Sequence, residues 1–267
     1  MKIVYHNNGQ LCNQIWSFAN IIGHSLVYKE KVILVNFRYM ELFPNMQNSK
    51  YIYHVTIPQK IVVFLSSFFR KRGCFNRYKE DCKTNGIAII DGWEYVTEYK
   101  NLNIAHNEIR LLLSPAQGVI SRCISVLQEQ KKSADIIIGF HIRKGDYETH
   151  HGGDYYYEDE TIIYYMRQLV VVNFGKKVKF FISSNEEIDS CKYIEFEYFT
   201  SAIISPIDDL YSLSLCDYII GPPSTFSKWA SYYGKVPIKV ISKKDMIILS
   251  LDEFKVVKAL GNSGYHN

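Results

Sequence analysis

Short apolar runs alternate with helix-like segments along most of this chain, and that alternation constrains the fold more than any other feature. The chain opens with the apolar run KIVYH and the turn-like NNGQLCN, after which apolar residues recur at helical spacing up to Leu26. A second apolar run, VILVNF, follows at 32–37. A strand, a helix and a strand in this order form a βαβ unit with parallel strands. The pattern therefore predicts an α/β protein.

The second half of the chain repeats the alternation more clearly. The same criteria predict strands at 135–142, 177–183, 217–221 and in the final PIKVIS, and helices near 159–172, 186–192 and 207–216. A last helix follows GPPSTF, where Ser224 or Thr225 can cap its start and Gly234 can end it. We expect two Rossmann-like halves facing a central cleft, with ligands at the carboxyl ends of the strands.

The middle of the chain is less regular and supplies the boundary between the halves. IAIIDG at 87–92 predicts a further strand, and residues 116–130 predict a helix that ends in the polar run QEQKKS. We therefore place an N-terminal half at 1–132 and a C-terminal half at 133–267.

Composition and the first residues of the chain narrow the expected kinds of partner, metal site and cellular location. The net charge of +4 does not indicate a nucleic-acid partner. The six cysteines include no CxxC pair, which argues against a zinc or thioredoxin-type site and favours reduced thiols in a cytosolic protein. The opening MKIVYHNNGQ lacks the apolar core of a signal peptide, so the expected location is the cytoplasm.

A basic segment at 70–83 allows two interpretations. It follows the apolar run IVVFLSSFF at 61–69, which is far shorter than the roughly 20 residues of a membrane-spanning helix. The segment is either a solvated loop after a core element or a patch that contacts an anionic partner, which is anionic lipid at the inner face of the membrane or an anionic acceptor.

Loops that follow strands carry the side chains that indicate a site. These loops lie at 6–14, 141–147 and 221–226, and the last one leads into a helix N-terminus. Arg143 offers a rigid fork of donors to phosphate oxygens, and free N–H groups at the helix start favour an anion. Such groups can neutralise a pyrophosphate without a metal, which agrees with the absence of a DxD motif.

The chain resembles a known family in these segments. HIRKGDY resembles the HxRRGDY motif of bacterial α-1,2-fucosyltransferases, which are related to the α-1,6- and protein O-fucosyltransferases. Three more segments resemble other motifs of the family, in the same order along the chain: HNNGQLCNQIWSFAN, FFISSNEEIDSCK and DLYSLSLCDYIIGPPSTFSKWASYYG. The resemblance implies a GT-B-like fold, with the acceptor on the N-terminal half and the donor on the C-terminal half.

The resemblance also implies a reaction. It is an inverting, metal-independent transfer of L-fucose from GDP-β-L-fucose to a glycan hydroxyl, with α-1,2 linkage to a galactoside in surface polysaccharide or oligosaccharide synthesis. GDP-fucose is the donor substrate, and no cofactor is implied. The acceptor is a glycan, and a lipid-linked one is among the candidates.

Family roles transfer to the matching positions of this chain. Arg143 grips the β-phosphate, Asn13 lies near the sugar, and the positions of the guanine-reading acids hold Ser184 and Asn185. The remaining donor-binding positions are His141, Lys144, Gly145, Ser224, Thr225 and Phe226.

Departures from the motif leave alternatives open. Ser184 and Asn185 replace two carboxylates, and Lys144 replaces an arginine. A transferase that uses another nucleotide sugar, and a non-catalytic relative that binds sugar or nucleotide, therefore stay as alternatives.

Inverting transfer also needs a base for the acceptor hydroxyl. We favour Asp146, the acid nearest Arg143, and the other candidates in the same loop are Glu148, His150, His151 and Asp154. Tyr155–Tyr157 either stack on the acceptor sugar or begin the core of the next helix.

Overall fold

The computed structural model describes residues 1–5, 9–58, 60–64, 88–92, 99–242 and 245–259. The chain forms two compact units. One is Met1–Ala116 together with the described residues from Lys258 onward, and the other is Gln117–Val257. The division falls before the helix that follows Ala116, whereas the boundary drawn from the sequence falls after it.

The first unit contains a parallel sheet of four strands in the order β3-β2-β1-β4. Its strands are β1 (Lys2–Tyr5), β2 (Val32–Val35), β3 (Ile52–Val55) and β4 (Ala88–Asp91). Its helices are α1 (Leu11–Tyr28), α2 (Tyr99–Ile104) and α3 (His106–Leu112), with 3₁₀ turns at Met40–Leu42 and Pro44–Asn48. Residues 60–64 are also helical. The opening strand–helix–strand prediction is confirmed, with β1 and β2 paired in parallel.

The second unit contains a parallel sheet of five strands in the order β7-β6-β5-β8-β9. Its strands are β5 (Ile136–Ile142), β6 (Val178–Ser184), β7 (Tyr198–Phe199), β8 (Tyr218–Gly221) and β9 (Ile238–Val240). Its α-helices are α4 (Gln117–Lys131), α5 (Asp159–Val172), α6 (Pro206–Leu213) and α7 (Thr225–Gly234). Its 3₁₀ turns are Gly145–Glu148, His150–Gly153, Ser190–Tyr193 and Leu251–Glu253. Within the described ranges, no helix has the length and apolar character needed to cross a membrane.

Strand β5 organises the second unit because every one of its residues is buried. Its apolar sequence leaves no polar face for solvent, so the strand lies in the centre of the sheet, between β6 and β8. Side chains from β5, β6 and α5 share one core cluster, which includes Ile138, Phe140, Tyr165 and Phe180. The predicted helix at 186–192 is wrong in type and place, because the structure has a short 3₁₀ turn at Ser190–Tyr193.

Helix α7 ends differently from the prediction. The left-handed residue that caps it is Lys235, with a φ of 56°, rather than Gly234. Gly234 is instead the last helical residue, and an added Cβ there would overlap the backbone carbonyl oxygen of Ser214, which follows α6. The glycine therefore permits close packing of α7 on the end of α6.

The two neighbouring positions should respond differently to substitution. Gly234→Ala should lower the free energy of unfolding by about 1–3 kcal/mol, because backbone atoms must move to admit the methyl group. Lys235→Gly should change it by less than about 1 kcal/mol, since relief of left-handed strain is offset by a more flexible unfolded chain. Urea denaturation of both variants checks this, and an equally stable Gly234→Ala protein would contradict the close contact.

Candidate functional site

The carboxyl ends of β6, β5 and β8 lie side by side at one edge of the second sheet. The parallel register places His141 of β5 opposite Ser183 of β6. On the other side of β5, a Cβ added to Gly221 of β8 would lie 2.7 Å from the backbone oxygen of His141. The structure thus brings together the segments 141–147 and 221–226, both of which were predicted to bear site residues.

His141 is buried at this edge. Its ring centroid lies 5.1 Å from that of Phe226, and its Nδ1 has no hydrogen-bond partner among the described residues. Burial of the ring, and then the nearby Arg143 guanidinium, lower the pKa of His141 to about 3. The imidazole is therefore neutral at pH 7 and can offer Nδ1 to a ligand as a donor or an acceptor, according to its tautomer.

Tyr147 ties the Arg143 loop to the start of α7. The guanidinium carbon of Arg143 lies 5.4 Å from the centroid of the Tyr147 ring, which is a cation–π distance. The buried Tyr147 hydroxyl donates a hydrogen bond to the carbonyl oxygen of Pro223 at 3.4 Å. One aromatic side chain therefore fixes the arginine and the loop that precedes α7 relative to each other.

The start of α7 is built to present backbone N–H groups. Ser224 is its N-cap, and the Ser224 hydroxyl accepts a hydrogen bond from the N–H of Phe226 at 3.2 Å. This confirms Ser224, rather than Thr225, as the capping residue. The first turn of a helix carries a partial positive charge, which favours an anionic ligand. Lys228 lies in the same turn and is buried, and burial lowers its pKa.

Gly145 allows the loop after β5 to turn sharply. Its φ of 60° lies in the left-handed region, and an added Cβ would lie 2.8 Å from a carboxylate oxygen of Glu186. A residue with a side chain would be strained here and would also meet this carboxylate. The structure therefore gives a conformational reason for glycine at position 145, and the binding role of Gly145 stays a prediction.

Asn185 clamps the same loop to the end of β6. Its side-chain oxygen accepts a hydrogen bond from the Lys144 N–H at 2.8 Å, and its amide nitrogen donates to the Lys144 carbonyl oxygen at 3.1 Å. Ser184 has a local partner too, since its hydroxyl accepts from the N–H of Glu186 at 3.2 Å. Both residues at the predicted guanine-reading positions thus take part in the structure of their own loops.

Lys144 also has a partner within the chain. Its ammonium lies 2.7 Å from a carboxylate oxygen of Asp159, the first residue of α5. Asp159 further accepts hydrogen bonds from Lys192 at 2.6 Å and from the Tyr193 hydroxyl at 2.9 Å. Burial alone would raise the pKa of Asp159, but the hydrogen bonds from these three side chains outweigh it and lower the pKa to about 2. Lys144, which was predicted to bind the donor, is therefore paired with a carboxylate of the protein in this structure.

The described residues do not place the remaining predicted site residues at this sheet edge. Asn13 belongs to the first unit, in the first turn of α1, and its carbonyl oxygen accepts a hydrogen bond from the Ser17 hydroxyl at 2.8 Å. The side chain of Asp146 lies outside the described part of the chain. The same is true of His150, His151 and the basic segment 70–83.

The tyrosines that precede α5 are divided between two environments. Tyr157 is buried and its hydroxyl donates to the carbonyl oxygen of Ile241 at 2.6 Å, so it belongs to the core. Tyr155 and Tyr156 are half-buried, and Glu148 and Asp154 are exposed. The core interpretation is therefore confirmed for Tyr157.

Sequence reasoning missed the residues that hold the site in shape. Tyr147 was inside the quoted motif, but only the fold reveals that its hydroxyl reaches Pro223. Asp159 could have been noticed as an acid at the start of a predicted helix, a position that also favours negative charge. Its role as the shared partner of Lys144 and Lys192 depends on contacts that no spacing predicts.

Comparison with known sequences identifies a family. The sequence model of glycosyl transferase family 11 matches residues 2–254 of this chain. No curated protein sequence matches the chain.

Solved structures share the fold across nearly the whole chain. Bradyrhizobium NodZ α-1,6-fucosyltransferase soaked with GDP-fucose has a TM-score of 0.60 at 16% identity, over 90% of this chain and 94% of that one. POFUT1 in complex with GDP has a TM-score of 0.53 at 13% identity, over 91% and 96%. A mutant of Arabidopsis thaliana FUT1 in complex with GDP has a TM-score of 0.56 at 12% identity, over 95% and 73%. These likenesses confirm the predicted GT-B-like α/β fold.

The Asp159 cluster should reveal itself in acid. Its lowered pKa means that the ionised carboxylate stabilises the folded state fully above the unfolded pKa of about 4, and that this contribution disappears as the pH falls towards 2. Asp159→Asn should therefore lower the free energy of unfolding by about 1–2 kcal/mol at pH 7, after allowance for solvent screening, and by less at pH 3.

Urea denaturation between pH 7 and pH 3 provides the measurement. Glu160→Gln is the matched control, because Glu160 lies in the same helical turn but is exposed. It should change stability by less than about 0.5 kcal/mol at either pH. A constant difference between wild type and Asp159→Asn across this range would show that the cluster does not depend on the charge of Asp159.

Proposed function

Because this chain belongs to glycosyl transferase family 11, we propose that this glycosyltransferase moves L-fucose from GDP-β-L-fucose to a glycan hydroxyl. The observation that carries the proposal is the tie through Tyr147, which holds the Arg143 guanidinium and the N-terminus of α7 at one sheet edge. A planar cation and a helix start are complementary to a diphosphate. The GDP and GDP-fucose complexes of the structural neighbours support the same class of donor.

The proposed reaction is a single displacement with inversion. The acceptor oxygen forms a bond to C1 of fucose while the bond from C1 to the β-phosphate oxygen breaks, and GDP departs with the electron pair. Arg143 and the first turn of α7 stabilise the negative charge that develops on this phosphate. A base removes the proton of the acceptor hydroxyl, and we assign this role to Asp146 from its position in the motif.

The two halves of the chain receive different substrates in this proposal. The donor binds to the second unit, at the carboxyl ends of β5, β6 and β8, where His141, Gly145 and Phe226 surround the diphosphate positions. The first unit, which contains Asn13, binds the acceptor. The α-1,2 linkage to a galactoside, and a lipid-linked acceptor at a membrane surface, are the finer assignments that the resemblance adds.

A transferase for another nucleotide sugar is the second candidate. The clamp between Asn185 and the Lys144 backbone favours it, because an amide that is engaged with its own loop reads guanine less well than a carboxylate does. A missing charge-assisted hydrogen bond weakens binding by about 1.5–3 kcal/mol, or roughly one to two decades in affinity.

Calorimetry with GDP, UDP, ADP and CMP distinguishes the candidates. We expect GDP to bind most tightly, since backbone groups at the strand ends can still read the base. A preference for UDP or ADP would overturn the fucosyl donor and favour the second candidate. No binding to any of the four nucleotides would favour a relative that does not use a nucleotide sugar.

Arg143 should be needed for turnover. In donor hydrolysis and transfer assays that contain excess EDTA, Arg143→Ala should lower kcat by roughly 10²–10³, as expected for the loss of one preorganised donor. Arg143→Lys should recover little, because a point charge cannot replace the planar fork. The variant Arg167→Ala is a matched control, since Arg167 is an exposed arginine on α5 that is paired with Glu195.

Two results of these assays would contradict the proposal. Near-normal turnover by folded Arg143→Ala would remove the arginine from the reaction. Loss of wild-type activity in EDTA, restored by magnesium or manganese, would refute the metal-independent mechanism.

A further inference from the structure

A single carboxylate joins the end of β6 to the loop that follows β7. Asp209, in the first turns of α6, accepts a hydrogen bond from the Ser183 hydroxyl at 3.0 Å through Oδ2. Its other oxygen, Oδ1, accepts from the Ser201 hydroxyl at 2.5 Å. Neither the sequence motifs nor the phosphate-binding arrangement accounts for this bridge.

The bridge continues a row of residues across the sheet edge. Strand β7 pairs with β6 through Tyr198 opposite Phe180 and Phe199 opposite Phe181. Continuing this register by two residues brings Ser201 level with Ser183, which itself lies opposite His141. The backbone ladder has ended there, and the Asp209 carboxylate replaces it as the link between the two segments.

The loop that Asp209 holds has an unusual surface. The loop comprises residues 200–205. It contains Ile203 and Ile204, whose exposed fractions are 47% and 100%. The Ser184 hydroxyl, which accepts from the N–H of Glu186, adds a polar group at the neighbouring end of β6. An apolar surface next to polar groups is complementary to a purine base, which has an apolar face and a polar edge.

We propose that Asp209 is a positioning residue that holds the loop 200–205 against the end of β6 and so forms one wall of a purine-base subsite. The inference rests on the proposed function, because the base belongs to the GDP of the donor. Asp209 acts through Ser183 and Ser201 and does not itself touch the nucleotide. The ionised form is the one that serves, since it accepts from both hydroxyls at once, whereas protonation turns one accepting oxygen into a donor.

The groups around Asp209 raise the pKa of its carboxyl group towards neutral pH. Burial raises its pKa to about 6, with a further increase from Asp208, although the bonds from Ser201 and Ser183 oppose the rise. Asp208 itself is held by Arg122 of α4 at 3.0 Å, and the buried Cys123 thiol also lies on α4. Ser183 and Ser201, which face Asp209 from β6 and its neighbouring loop, do not titrate in this range.

This setting separates a positioning role from a stabilising one. An aspartate whose folded pKa is raised makes the folded state less stable as the pH rises from about 4 through about 6. Replacing Asp209 by asparagine should therefore leave the melting temperature at pH 7.5 unchanged or higher. A loss of nucleotide binding in the same variant would then reflect the position of the loop rather than the stability of the fold.

Calorimetric titration with GDP tests the proposal, using wild type, Asp209→Asn, Ser201→Ala and the control Asp208→Asn between pH 5.0 and 7.5. Asp209→Asn should weaken GDP about tenfold at pH 7.5, and Ser201→Ala should weaken it in the same direction. Wild-type affinity should fall by up to about tenfold between pH 7.5 and 5.0 beyond any change in Asp209→Asn, because a group with a pKa near 6 is largely protonated at pH 5.0. The β-phosphate of GDP also titrates in this range, but its effect is common to all the proteins.

The control variant tests whether the effect on GDP binding is specific to Asp209. Asp208→Asn alters the adjacent carboxylate on α6, which faces Arg122, and should lower stability while it keeps the wild-type affinity for GDP at pH 7.5. Its pH-dependent fall in affinity should remain but move to lower pH, because the Asp208 charge no longer raises the pKa of Asp209. Unchanged GDP binding and an unchanged pH profile in Asp209→Asn would overturn this inference alone. An equal loss in Asp208→Asn would overturn it as well, because the effect would then belong to α6 in general. If wild type bound no GDP at any pH, the proposed function would fail and this inference with it.

Discussion

Complete burial of β5 fixes the positions of the candidate site residues in the second unit. A buried strand must satisfy its peptide groups on both edges, so β6 and β8 flank it in parallel and their carboxyl ends meet at one edge. His141 lies at that edge because it belongs to the buried strand, and Arg143 follows as soon as the strand ends. The chemistry of the edge is thus set by the first residues that leave the sheet.

Much of the polarity at this edge serves the loops themselves. Lys144 binds Asp159, Asn185 binds the Lys144 backbone, and Asp209 binds Ser183 and Ser201. Such bonds cost conformational freedom at folding rather than at ligand binding, so the loops are ordered before a nucleotide arrives. Preorganised groups stabilise developing charge better than groups that must first move.

Sequence periodicity predicted the longer and more apolar elements of the second unit, but not the short strand β7 or the 3₁₀ turn at Ser190–Tyr193. Helix α5 at Asp159–Val172 and the Ser224 cap follow from local rules of spacing and capping. The end of α7 does not follow from these rules, because the left-handed residue is Lys235, while Gly234 is required by the tertiary contact with Ser214. The partners of Lys144 and Asp209 were equally beyond prediction, since they join segments separated along the chain. The motif thus supplied the candidate residues, and the fold shows which of them already have partners.

The Asn185 clamp joins the end of β6, proposed to read the base, to the Arg143 loop, proposed to bind phosphate. An aspartate at this position would retain the bond from the Lys144 N–H, but it would place a negative oxygen against the Lys144 carbonyl, where Asn185 now donates. The loop that carries Arg143 would then be less well held. Asparagine at this position is therefore consistent with a fixed Arg143 loop, and recognition of the base must depend on other groups around β6. Asp209, which lies behind the neighbouring Ser183, can influence the base without approaching it, because it controls where the adjacent loop lies.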